Sequence, residues 1–172
     1  MHRLGKDIDG ESVAHSHLAR FELIATGSTP RILGAVPNSD PSVLGALADC
    51  MAAPFHLLYV LHTSRGEGEL GRYQSPEISR QQLDDFLIKF APFLSQDGRF
   101  DLWLYSPAAA ATVVWDRHDQ LFAYGPVDCF ARRLTGLTWI SEIDFLACVR
   151  TERRCRCCWF DVSGGVRGVT SG

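Results

Sequence analysis

The stretch FDLWLYSP (residues 100–107), followed by TVVWDRHDQLFAYG (112–125) and PVDCFARRL (126–134), decides how this chain is built. In residues 100–105, Phe100, Leu102 and Leu104 alternate with Asp101, Trp103 and Tyr105, which predicts a strand with one aliphatic and one aromatic face. Residues 112–115 and 120–124 flank Asp116-Arg117-His118-Asp119, a turn-forming cluster, and read as a hairpin. Gly125 and Pro126 then open a helix whose stripe is Val127, Phe130, Ala131 and Leu134 and which Gly136 ends.

Working upstream, Ser79 with Gln82 three residues later is a capping-box spacing, and Leu83, Phe86, Leu87 and Phe90 continue at helical steps. The helix spans about 79–91, and Pro92 should kink or end it, since proline removes an amide donor and crowds the preceding turn. Asp40 and Pro41 start an earlier helix over 41–52, carried by Val43, Leu44, Leu47 and Met51. Between these helices FHLLYVLH (55–62) is nearly continuously apolar, as a strand in the middle of a covered sheet should be. Residues 20–26 read as a shorter strand, and the apolar run 31–36 as another strand or a buried loop.

The elements amount to one α+β domain, a mixed, mostly antiparallel sheet of about four to six strands with two or three helices packed on it. A flexible arm is expected over 1–16, the globular domain over 17–137, and an Arg/Cys-rich extension over 138–172. That last part holds four of the six cysteines, and residues 150–172 carry five arginines against Glu152 and Asp161. Its Cys148, Cys155, Cys157 and Cys158 do not follow the usual paired spacing of zinc ligands, which favours free thiols over a metal site. The abrupt change of composition also fits a shifted reading frame or an altered end.

A chain of 172 residues with a formal charge of -3 and 46% hydrophobic residues is an ordinary globular composition. It offers no basic track for nucleic acid and no uninterrupted span for a membrane. The charged N-terminus lacks the apolar core of a secretory signal, so the expected location is cytoplasmic.

No spacing commits the chain to one chemistry. His118 between Asp116 and Asp119 suggests a carboxylate-oriented base, but neighbouring turn residues point apart, and hairpin chemistry explains them better. No nucleophile elbow, cofactor motif or metal set is visible. Residues 63–76, TSRGEGELGRYQSP, form a long patternless loop, and such loops are disproportionately functional.

If the strand at 55–62, the 79–91 helix and the strand at 100–105 form a right-handed crossover, the two strands are parallel and their carboxyl ends share a rim. That convergence places Arg65, Arg72, Tyr73, Ser106 and Tyr124 together as a binding site. The function expected is a non-enzymatic protein-interaction module, an adaptor or immunity-type inhibitor of a bacterial cytoplasm. It would bind another protein through the 63–76 loop and aromatics such as Tyr73, Trp103 and Tyr105. The alternative is a small hydrolase or transferase acting on an anionic substrate at the same rim.

Overall fold

The computed structural model describes residues 2–25, 29–66 and 68–141. The extension's Cys148, Cys155, Cys157 and Cys158 lie outside the described residues. The fold is α+β, as the sequence implies, but the sheet is larger than four to six strands. Among the described residues it has eight, and a separate two-stranded hairpin stands beside it.

That hairpin is β1 (Gly5–Ile8) with β2 (Glu11–Ala14). The main sheet contains β3 (Arg20–Ile24), β4 (Arg31–Ala35), β5 (His56–Leu61), β6 (Gly71–Gln74), β7 (Phe100–Ser106), β8 (Ala111–Trp115), β9 (Gln120–Tyr124) and β10 (Ile140–Ser141). Their spatial order is β10-β3-β4-β9-β8-β7-β5-β6. The pairing of β10 with β3 is parallel, and the others are antiparallel. The helices are α1 (Ser42–Ala48), α2 (Arg80–Gln96) and α3 (Val127–Gly136).

Alternation along β7 sets which face is covered. Phe100, Leu102 and Leu104 are buried and share one core with Leu44 and Leu47 of α1, Leu83, Leu87 and Leu94 of α2, and Phe130 and Leu134 of α3. All three helices therefore lie on that face. The opposite face carries a row running through paired residues of successive strands, Leu33, Phe122, Val114, Trp103 and Leu58, which no described element covers.

Several elements differ from expectation for identifiable reasons. Helix α2 carries its capping box, with Ser79 Oγ accepting from the Gln82 amide at 3.2 Å and Gln82 Oε1 from the Ser79 amide at 2.8 Å. It then continues through Pro92 to Gln96, because burial of Leu94 holds the final turn against the core. Helix α1 is shorter than 41–52, because the Cys50 and Met51 amides bond three residues back, to Leu47 and Ala48, tightening the last turn. Asp40 Oδ1 accepts from the Ser42 amide at 2.9 Å, the cap expected.

Three links tie α1 to its neighbours. Asp49 accepts from Arg80 at the start of α2 and from Arg133 of α3, while Cys50 and Cys129 form a disulfide between α1 and α3.

Both ends of the domain correct the sequence-based division. Arg3, placed in a flexible arm by its polar neighbourhood, is buried and bonded to Asp119, and the hairpin of β1 and β2 follows it. At the other end Trp139 is buried in the core and β10 pairs with β3, so the folded unit runs past residue 137.

Candidate functional site

The segment 63–76 is not a patternless loop throughout, since its second half is β6. Gly71-Arg72-Tyr73-Gln74 shows no alternation, because an edge strand with little burial is under weak pressure to keep one. Once β6 is present, α2 crosses over from β6 rather than from β5, passing β5 to reach β7. β5 and β7 are then antiparallel neighbours, with His56 opposite Tyr105 and Leu61 opposite Phe100.

This register overturns the parallel crossover and the shared rim built on it. Ser106 and Tyr124 lie at one end of the sheet, in or beside the row linking His56, Tyr105, Thr112 and Tyr124. Arg72 lies at the other end, in the row linking Val60 and Asp101, four strands across from Tyr124, roughly 19 Å, and two from Ser106. Arg65 sits beyond the end of β5 on that second side, close enough to lower the Asp97 pKa electrostatically. Ser106 is fully buried, donating to the Ala52 carbonyl at 2.5 Å and accepting from the Ala109 amide at 3.2 Å, an arrangement that fixes the turn after β7. The five predicted residues are thus dispersed, and Tyr73 alone lines a cavity with other aromatics.

That cavity is a cleft of about 490 Å³ between α2 and strands β5 and β6. Tyr59, Tyr73, Phe86, Phe90 and Phe93 supply its aromatic walls, and Leu57, Ile78, Leu94 and Leu102 its floor. The geometry has a local cause: Phe86, Phe90 and Phe93 follow at helical steps on α2, while Tyr59 and Tyr73 face each other across the β5–β6 pair with ring centroids 6.4 Å apart. Tyr59 also stacks on Phe100 at 4.6 Å, which anchors that wall to the core. Phe90, Phe93 and Tyr73 remain about 40–50% exposed, a large apolar area to leave in water. The Tyr73 hydroxyl donates to the Glu69 carbonyl at 2.5 Å, tethering the ring to the loop before β6.

Beside this cleft the sheet ends. β6 pairs with β5 and, among the described residues, has no strand on its other side. An open strand edge next to an apolar groove offers backbone hydrogen bonds and a side-chain pocket together.

Trp103 and Tyr105 are on the other, uncovered face, also exposed, so the three expected aromatic anchors divide between two surfaces. At the β8–β9 turn, Asp116 Oδ1 accepts from the His118 and Gln120 amides at 2.9 and 2.7 Å, and its Oδ2 meets Nδ1 of the exposed His118 ring at 3.1 Å, so these two side chains do not point apart as expected, whereas Asp119 turns inward with a φ of 59°. Among the described residues no cluster of three or more His, Cys, Asp or Glu side chains is arranged to hold a metal ion. No helix there is long and apolar enough to cross a membrane.

The cleft was missed in the sequence because its two walls come from different readings, a helix stripe and a segment taken as loop. The signal available was Phe86, Phe90 and Phe93 extending past what the core needs. Comparison with protein families, with curated proteins and with solved structures finds no match to this chain.

Proposed function

We propose that the protein is a non-enzymatic interaction module that captures an extended segment of another protein along β6, with an apolar side chain of that segment seated in the α2 cleft. One observation carries this reading: an aromatic-lined cleft of about 490 Å³ opens directly beside an unpaired strand edge. Main-chain pairing at the edge supplies affinity with little sequence demand, and the pocket selects the side chain. Aromatic residues at the centre of such contacts carry most of the binding energy. Tyr73 and the 63–76 segment keep the role expected of them, now as edge strand and cleft wall.

Different chemistry bears on the compartment. The Cys50–Cys129 bridge supports maturation or work under oxidising conditions, since cytoplasmic thiols are usually held reduced. This favours a non-cytoplasmic setting over the one suggested by the charged N-terminus.

The test is selection of peptides from a displayed random library on the folded protein. Enriched sequences should share an apolar or aromatic position, bind wild type and the Trp103→Ser variant alike, and lose affinity for Phe90→Glu. Peptides that bind Phe90→Glu as well as wild type would overturn the reading.

A further inference from the structure

Arg3 occupies a chamber assembled from parts of the chain more than 90 residues away. Its guanidinium has five N–H donors, and each meets an acceptor. Nε donates to Asp119 Oδ1 at 2.9 Å, Nη1 to the carbonyls of Leu94 and Asp97 at 3.3 and 2.7 Å, and Nη2 to those of Phe100 and Asp116 at 3.1 and 2.7 Å. The Phe100 and Trp115 rings lie against the guanidinium, with centroids 4.4 and 4.0 Å from its carbon. Two of the carbonyls belong to the end of α2, where the helix dipole concentrates negative charge.

The chamber's own walls are held independently of Arg3. The Trp115 indole donates to Asp119 Oδ1 at 2.9 Å and the Ser39 hydroxyl to Asp119 Oδ2 at 2.6 Å, so the buried carboxylate is positioned by two groups from the body of the fold. A planar cation with a fork of donors satisfies this set. An ammonium, with three donors in a tetrahedral arrangement, would leave carbonyls unpaired in a buried site.

The segment that delivers Arg3 is otherwise lightly attached. All eight residues of β1 and β2 are exposed, and these strands pair with each other and not with the main sheet. Arg3 is a single buried anchor on a surface hairpin.

We propose that this chamber is a guanidinium-binding site of which Arg3 is the tethered ligand, so that removing the Arg3 side chain leaves a site that takes an alkylguanidinium from solution. The site is separate from the α2 cleft and does not depend on the function assigned to it.

The experiment uses the full chain with Arg3→Ala, which vacates the Cγ, Cδ and guanidinium of Arg3, and follows thermal unfolding with ethylguanidinium or ethylammonium at equal, low-millimolar concentration and matched ionic strength. The expected result is a saturable rise in Tm of several degrees for Arg3→Ala with the guanidinium, with neither compound raising the Tm of wild type. No rise, an equal rise with the ammonium, or an equal rise in wild type would each overturn the proposal. Where Arg3→Ala does not fold unaided, refolding is followed by tryptophan fluorescence with each compound present. Recovery with the guanidinium alone supports the site, and recovery with neither or with both overturns it.

Discussion

Arg72 and Tyr73 are neighbours in sequence but face opposite sides of the sheet. Tyr73 lies opposite Tyr59 on the helix-covered side and lines the cleft, whereas Arg72 lies opposite Val60 on the uncovered side. For a ligand in the cleft, Tyr73→Ala should weaken binding by about 1–2 kcal/mol, a factor of roughly 5–30. Arg72→Ala should change it by less than about twofold, since only the Arg72 backbone would pair with the ligand and its side chain faces away from the cleft. Titration of one selected peptide against both variants separates the two faces.

The Cys50–Cys129 bridge spans 79 residues of sequence and ties α1 to α3. Closing a loop of that length restricts the unfolded chain, so reduction, or the paired Cys50→Ser and Cys129→Ser substitutions, should lower unfolding free energy by roughly 2–4 kcal/mol. Chemical denaturation with and without reductant measures this. A chain whose midpoint does not move on reduction would show that the bridge is not formed in solution.

Gly98 lies directly under the Arg3 backbone, where an added Cβ would meet the Arg3 carbonyl oxygen at 2.3 Å. Gly98→Ala should therefore lift Arg3 from its seat and destabilise the protein by roughly 1–3 kcal/mol. Gly136, whose Cβ would meet nothing within 4 Å, is the control, and Gly136→Ala should be close to neutral.

Asp97 is buried beside Arg99, and its carboxyl is held below the ordinary value of 3.8 chiefly by the hydrogen bond from the Arg99 side chain, against the opposing effect of burial. A carboxyl lowered on folding contributes stability that is present above the unfolded value and lost as pH falls through the folded one. Stability should drop as pH is taken below about 4, and Asp97→Asn should flatten that part of the profile. Urea unfolding at a series of pH values from neutral to acidic reads the difference in slope.

What was legible in the sequence was local. Ser79 and Gln82 announce the start of α2 because both partners of the cap lie within one turn, and β7, β8 and β9 show themselves because each buries alternate residues. β6 stayed hidden because Arg72, Tyr73 and Gln74 are all exposed and leave no periodic trace. Missing that one strand reversed the inferred direction of β7 relative to β5 and with it the proposed convergence of Arg65, Arg72, Ser106 and Tyr124. Arg3 was unreadable for another reason: its partners are Leu94, Asp97, Phe100, Asp116 and Asp119, and no local pattern marks a residue whose contacts are all distant.

The distance in sequence between Arg3 and Asp119 also orders events during synthesis. Arg3 leaves the ribosome ahead of the whole sheet, but its chamber does not exist until the β8–β9 turn has emerged some 116 residues later. Contacts of such wide separation close late, after the loop entropy between them has been overcome. A residue translated ahead of all its partners is thus among the last to reach its place, and the nascent chain carries an unsheltered arginine until the sheet behind it is complete.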